Sequence, residues 1–383
     1  MSIGSPYFVE LIEKLTTYRN RNRTGYTLDD LKGAFLKLGP FQIETQVVQV
    51  VGTNGKGSVV HKVASCLLGK VGQFISPHIF SCTERIQING IAISERDFIR
   101  HYNRILACME GVHFTFFDTL FLICYSYFQE EKVQYAIFEA GIGARLDATN
   151  LLLPTISVLT TLSLDHQDVL GESIDSIAYE KAHVIRKNIP CVLGPKAYHE
   201  NVMRRAYELN APLYFVEPAL TFEKENQLIA KQVLKLLDRE FDESKLSDNL
   251  PFRCKRLQVN GVEIILDVAH NLEGFDALFQ VLGKDSYFFA LAFTSQKNME
   301  RVLERLDQKN AQFIIMSDKD CGLIESEHEW HSIESGVNKA LTEAASRGVN
   351  LCIAGSFYLM EKALQSLELQ KTELQFLHDL GTS

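Results

Sequence analysis

Two runs of apolar positions with helical spacing open the chain. Phe8, Leu11, Ile12 and Leu15 form one, and Leu28, Leu31, Phe35 and Leu38 form a second, closed by Gly39-Pro40. The pattern then changes: Val47-Val48-Gln49-Val50-Val51 is a β-branched run that empties into Gly52-Thr53-Asn54-Gly55-Lys56-Gly57-Ser58. Beyond it Val60, Val63, Ala64, Leu67 and Leu68 recur at i, i+3, i+4, i+7 and i+8, so a strand, a glycine-rich turn and a helix are predicted in succession. A short strand over Gly72–Ile75 stops at Ser76-Pro77, and the stretch Cys82 to Gly90, ending in Asn89-Gly90, predicts a small hairpin. Ser94 caps a helix beginning at Glu95, with Asp97 at the capping-box position. Phe114–Phe128 is the most apolar stretch, but Asp118 and its short length make it a buried helix.

Strands are predicted over Tyr135–Phe138, ending in Glu139, and over Thr155–Leu162, followed by Asp165-His166. Asp175–Arg186 reads as a helix carrying Glu180 and Lys181, and Ile189–Leu193 as a further strand. The segment 196–245 is less patterned, with a helix around Asn226–Leu237 and a polar run, Asp242-Glu243-Ser244-Lys245, that marks the linker region. Farther on, Val262–Leu266, Ser286–Ala292, Ala311–Met316 and Val349–Ala354 are strands alternating with helical patterns, a second α/β unit with a mostly parallel sheet. Its first strand ends in Asp267-Val268-Ala269-His270-Asn271. The expected division is 1–245, a linker at 246–253, and 254–383.

A length of 383 residues supports two domains rather than one core. Apolar content of 46% and charged content of 23% are those of a soluble globular protein, and no run of about 18 apolar residues predicts a membrane span. The formal charge of −9 argues against nucleic acid as the main partner, so an anionic nucleotide would need a local positive pocket. Eight cysteines without a CxxC pair indicate neither a zinc site nor a disulfide framework. With no basic, apolar leader at the N-terminus, a cytoplasmic protein is expected, and a monomer.

The glycine-rich turn carries the first chemistry. Its glycines let backbone N–H groups converge on an anion at a helix N-terminus, and Lys56 adds a positive charge. It departs from GxxxxGK[ST]: only two residues separate Gly52 from Gly55, and Gly57 stands between Lys56 and the hydroxyl of Ser58. Gly52, Ser76, Glu139 and His166 each fall at or just past the C-terminal end of a predicted strand, the edge where open α/β sheets bind ligands. A hydroxyl, a carboxylate and an imidazole beside a phosphate loop suggest a metal–nucleotide site.

Taken together, the motifs resemble one family. Gly52–Ser58, Ser76-Pro77-His78, Glu84-Arg85-Ile86, the run from Glu139 to Asn150, Glu180-Lys181-Ala182 and Asp267–Asn271 stand in the order found in the folylpolyglutamate synthase/dihydrofolate synthase family, of the Mur-ligase superfamily of ATP-dependent amide ligases. The resemblance spans about residues 40 to 360. It implies an N-terminal P-loop ATPase-like domain and a smaller Rossmann-like C-terminal domain that carries the glutamate ligase function. It also implies that Gly52, Thr53, Asn54, Gly55, Lys56, Gly57 and Ser58 hold ATP, with Lys56 on the transferring phosphate, and that Ser76, Glu139 and His166 ligate Mg²⁺. Lys181 matches a lysine that is carbamylated in the family. Arg256 and Asp267 match residues reaching the nucleotide, with His270 beside them as a further catalytic candidate. Thr115, Phe116, Phe117, Asp118 and Leu146 match the pterin-binding surface.

Without the resemblance, Lys181 would read as a solvated surface charge and Phe116 and Phe117 as ordinary core. The implied reaction phosphorylates a carboxylate of dihydropteroate or of a reduced folate, and the amine of L-glutamate then attacks the acyl phosphate in a closed, two-domain cleft. The alternatives are a Mur ligase acting on a cell-wall nucleotide, against which Gly57 speaks, and a nucleotide-dependent switch without ligase activity. Departures from the family pattern are Ala144 for a glycine, Cys254-Lys255 for Pro-Gly, Leu272 for a proline and Asp118 for a glutamate. They leave the proposed ATP and metal residues in place.

Overall fold

The structure, a computed structural model, describes residues 5–18, 27–318, 322–324 and 330–367. They fall into two compact units, one running to Ser76 and resuming over Cys82–Asp248, the other made of Pro77–Ser81 and the chain from Asn249 onward.

The first unit is built on eight strands: β1 (Gln46–Val51), β2 (Val71–Phe74), β3 (Ile86–Ile88), β4 (Ile91–Ala92), β5 (Tyr135–Glu139), β6 (Ile156–Thr161), β7 (Cys191–Lys196) and β8 (Leu213–Phe215). Their order across the sheet is β4-β3-β2-β5-β1-β6-β7-β8. Only the β2–β3 and β3–β4 pairings are antiparallel; the others are parallel. From Val47 to Val51 every residue of β1 is buried, as a parallel strand covered on both faces requires. One face carries a core that includes Leu31, Phe35, Phe74, Phe98, Phe121, Phe128 and Phe138, and another core forms around Val51, Leu159, Ile185 and Leu193.

Most predicted elements are found. The opening helices are Pro6–Thr16 and Leu28–Leu38, the second closed by Gly39 at φ 77°. The predicted hairpin turns at Asn89 and Gly90, both at positive φ, between β3 and β4, while Cys82–Arg85 forms a single 3-10 turn instead of strand. Ser94 Oγ accepts the Asp97 N–H as expected of a cap. The apolar helix is Phe116–Glu130.

Differences have local causes. The helix after the glycine-rich turn, Lys56–Cys66, ends before Leu68, because Leu67 turns extended and pairs with Phe241 as an isolated bridge. The helix expected over Asp175–Arg186 is Ile174–Ala182, followed by turns whose N–H groups at Val184 and Ile185 reach back to Lys181 and Ala182. In the weakly patterned stretch a helix, Glu200–Glu208, and β8 lay hidden. The helix buries only Val202 and Ala206, and β8 is an edge strand with no buried residue. The polar run at Asp242–Lys245 is no loose tether. Asp242 caps a 3-10 turn, Glu243–Ser247, and its N–H donates to Cys66 O at 2.8 Å.

The second unit has strands β9 (Lys255–Val259), β10 (Val262–Leu266), β11 (Tyr287–Leu291), β12 (Gln312–Ser317), β13 (Trp330–Ser332) and β14 (Asn350–Ala354), ordered β13-β12-β11-β14-β10-β9. Only β9 and β10 run antiparallel. β9 precedes the strand expected to come first; its sequence, Lys-Arg-Leu-Gln-Val, offers no buried side chain to signal it. Helices Leu272–Leu282, Gln296–Gln308, Ile333–Arg347 and Phe357–Ser366 cover the sheet over two cores, one around Leu266, Met316 and Val337 and one around Ile265, Phe275 and Leu303. Among the described residues no helix is long and apolar enough to cross a membrane.

Candidate active site

β1 ends where its backbone has to pass close to β6. A Cβ on Gly52 would sit 1.9 Å from Thr160 Oγ1, so only glycine lets the chain leave the strand here. Hydroxyls of β6 then hold the turn: Asn54 N–H donates to Thr161 Oγ1 at 2.9 Å, and Thr160 Oγ1 donates to Asn54 O at 2.6 Å. Thr53 N–H donates to Thr161 O at 3.0 Å, and its Oγ1 bridges Ser163. Gly55, at φ 82°, is the N-cap of the helix Lys56–Cys66 and supplies no side chain to its first turn. The N–H groups of Lys56, Gly57 and Ser58 are therefore the positive end of a helix dipole, left for an external anion.

Three charged side chains surround this turn. Lys56 Nζ donates to Thr53 O at 3.0 Å and lies 4.0 Å from Glu139 Oε1. Glu139, the last residue of β5, is 3% exposed, and its Oε2 accepts the Ser76 N–H at 2.8 Å. Lys181, 3% exposed, donates from Nζ to Gly52 O at 2.8 Å. Burial above all, and the nearby Lys56 charge second, pull the Lys181 amine down to about 7, against weaker opposing pulls from Asp165 and Asp147. The structure thus gathers Gly52, Lys56, Ser76, Glu139 and Lys181 into one place. His166 lies on the same sheet edge, five residues past β6, with a left-handed φ of 47° as the residue before the turn of helix Gln167–Leu170.

Among the described residues no three His, Cys, Asp or Glu side chains converge as a metal cluster. The set that the family resemblance points to is of mixed type instead: the Ser76 hydroxyl, the Glu139 carboxylate and the His166 imidazole. A carboxylate this deeply buried beside an anion-binding turn fits a hard divalent cation, because oxygen donors suit it.

Two acids that the sequence did not single out organise this edge. Asp147 Oδ2 accepts the N–H groups of Gly141 and Ile142 at 2.9 and 3.3 Å, and its Oδ1 accepts the N–H and Oγ1 of Thr149 at 2.9 and 2.6 Å. One carboxylate thereby shapes the whole polar loop after β5. Asp165 Oδ1 accepts the His166 N–H at 2.9 Å and supports its left-handed backbone.

Comparison with known proteins places this arrangement. The chain is 36% identical over 195 residues to the dihydrofolate synthase/folylpolyglutamate synthase of Buchnera aphidicola subsp. Acyrthosiphon pisum, covering 50% of this chain and 47% of that protein. Its sequence is similar to members of the dihydrofolate synthase/folylpolyglutamate synthase family. In sequence it spans about half the length of the curated relatives it matches, and no family model matches it. The fold agrees over more of the chain. A bifunctional folylpolyglutamate synthase/dihydrofolate synthase with Mn, AMPPNP and L-glutamate bound has a TM-score of 0.80 at 23% identity, covering 94% of this chain and 98% of that one. The Mycobacterium tuberculosis folylpolyglutamate synthase complexed with ADP and AMPPCP has a TM-score of 0.83 at 20% identity, with 95% and 99% covered.

The remaining residues that the family resemblance points to have the following surroundings. Thr115 is the N-cap of the helix Phe116–Glu130 and accepts the Asp118 N–H at 3.3 Å, so both serve helix initiation. The Phe116 ring lies under the Arg85 guanidinium at 5.3 Å, and Phe117 packs 5.5 Å from Phe74. Leu146 is half exposed on the polar loop. In the second unit Arg256 pairs with Glu263 at 2.7 Å, and Asp267, at the end of β10, accepts Ala269 N–H at 2.7 Å. His270 Nδ1 lies 3.0 Å from Val268 O, and Asn271 caps the next helix.

Proposed function

We propose that this chain is an ATP-dependent ligase that joins L-glutamate to the carboxylate of dihydropteroate, of a reduced folate, or of both. The observation that carries the reading is the cluster of Lys56, Glu139 and Lys181 around an uncapped helix N-terminus at Gly55. A neighbour of this fold is described with Mn, AMPPNP and L-glutamate bound, which supports the same three-component chemistry here.

The residues divide the work. The N–H groups of residues 56–58 receive the phosphates, and the Lys56 ammonium offsets the negative charge gathering on the phosphoryl group as it moves to the acceptor carboxylate. That transfer breaks the bond between the β- and γ-phosphates, releases ADP and forms an acyl phosphate. The glutamate amine then attacks the acyl carbon, phosphate leaves, and a proton is lost from nitrogen. Glu139, Ser76 and His166 would hold Mg²⁺, which when bound neutralises charge between the two anions.

Lys181 is read as a carbamate: its amine adds to CO₂, one C–N bond forms and one proton leaves. A buried amine with its pKa drawn to about 7 is half neutral at that pH, the form the addition requires. The charge facing the site then changes from cation to anion, which favours a divalent cation. Arg256, Asp267 and His270 are assigned to the nucleotide side of the second unit, and Thr115, Phe116, Phe117, Asp118 and Leu146 to the pterin.

ADP release by the purified chain, measured with each pterin acceptor and with or without glutamate, tests the proposal. Release should need both an acceptor and glutamate, and Lys56→Ala should lower turnover by about 10²–10³-fold with the fold intact. ADP release indifferent to both co-substrates would overturn the ligase reading. Unchanged turnover in Lys56→Ala would remove Lys56 from the transfer step.

A further inference from the structure

The turn leading into β9 holds two non-glycine residues in the left-handed region, Phe252 at φ 59° and Cys254 at φ 52°. Such backbone is uncommon for side chains of this kind and persists where its surroundings over-determine it. Here much of the holding comes from the loop after β10. Phe252 O accepts the Val268 N–H at 3.1 Å, and the Phe252 ring is fully buried, with the Phe80 ring 6.0 Å away. Cys254 N–H donates to Asp267 Oδ2 at 2.8 Å, and Cys254 Sγ lies 3.4 Å from the same oxygen. The other oxygen, Oδ1, accepts the Ala269 N–H, and Ala269 O in turn accepts the Gly355 N–H at 2.8 Å.

Glycine would occupy position 254 without strain but would bring only the N–H. A cysteine held there adds a second donor to Oδ2. Burial first, and then the adjacent Asp267 carboxylate, push the thiol well above its usual range, so it keeps the proton that a donor needs.

We propose that Cys254 is a positioning residue for Asp267. Its N–H and S–H together fix Oδ2 and so set the direction in which the carboxylate faces the nucleotide, an inference that rests on Asp267 contacting ATP. The thiol acts as a hydrogen-bond donor and takes no part in covalent chemistry.

The test compares ATP affinity, by calorimetry, and the KM–kcat split for Cys254→Ala, Cys254→Gly, Cys254→Ser and Asp267→Asn in the full chain. Cys254→Ala should weaken ATP binding about tenfold, the scale of one hydrogen bond to a charged group. Cys254→Ser, which keeps an O–H donor, should recover most of that loss. Cys254→Gly suits the left-handed backbone and keeps the experiment interpretable if the alanine variant folds poorly; it should show the same loss of affinity. In the double variant Cys254→Ala/Asp267→Asn the cysteine change should add nothing to the loss from Asp267→Asn. The infrared S–H band of Cys254, isolated by subtracting the Cys254→Ala spectrum, should move toward the free-thiol frequency in Asp267→Asn. Wild-type affinity in Cys254→Gly beside a weakened Asp267→Asn overturns the proposal while leaving the nucleotide role of Asp267 standing, and a serine variant as weak as alanine overturns it too. Wild-type ATP binding by Asp267→Asn shows instead that the nucleotide reading itself has failed.

Discussion

Lys181 is where the charge of a single side chain has the widest effect. Its folded pKa of about 7 lies below the ordinary 10.5, so between those values the unfolded chain binds the extra proton and stability rises with pH. The slope is at most about 1.4 kcal/mol per pH unit and vanishes below about 7, where both states are protonated. In CO₂-free buffer, unfolding free energies measured from pH 7 to 10 should show that rise, and Lys181→Met should abolish it. In bicarbonate the unfolded chain still holds the ammonium that a carbamate lacks, so the rise should persist and continue below pH 7, and the mass should increase by one CO₂. Identical slopes below pH 7 with no added mass would count against the modification. At this scale the sequence disclosed what glycine and strand-end position can disclose, namely Gly52, Gly55, Lys56, Ser76 and Glu139. It was silent on Asp147, Thr160 and Thr161, because a short polar side chain that bonds backbone groups leaves no periodic trace. Cys254 was visible only as a departure, since its role lies in an oxygen of a residue 13 positions away.

Among the elements, the helix Lys56–Cys66 carries an interaction that its apolar pattern conceals. Lys62 has no solvent exposure, and its Nζ donates to Leu246 O at 2.9 Å and Asp248 O at 2.8 Å and pairs with Glu223 at 2.6 Å. One ammonium thus fastens the helix Lys56–Cys66 to the last residues of the first unit and to the helix Phe222–Leu237. Lys62→Met leaves two carbonyls and a carboxylate without that donor. It should destabilise the first unit by about 3 kcal/mol, read from its urea midpoint. A change under about 0.5 kcal/mol would mean that water replaces the ammonium at no cost. Lysine at a position between apolar neighbours reads as a break in the stripe, which is why periodicity could find this helix but not its attachment. The strands of both sheets were legible where both faces are buried, as in β1, β5 and β10. They were illegible at the edges, where β8 and β9 are held by backbone pairing and have little apolar burial to betray them.

Across the whole molecule, the strand order of the first sheet has a consequence for how the chain is made. β5 lies between β1 and β2, yet it is synthesised more than sixty residues after β2 ends. Until Glu139 emerges, the growing chain holds two apolar strands separated by a strand-wide gap, each with open N–H and C=O groups along the missing neighbour's side. Pairings at this sequence distance are slow to form. Ribosome-bound chains arrested before β5 should therefore be cut readily by protease and be held by chaperones, and chains arrested after β7 has emerged should resist both. Uniform protease resistance at the two arrest points would mean that β1 and β2 find a temporary partner. The carboxylate that faces Lys56 arrives on the strand that closes this gap, so birth of the Lys56–Glu139 pair and closure of the sheet are one event during translation.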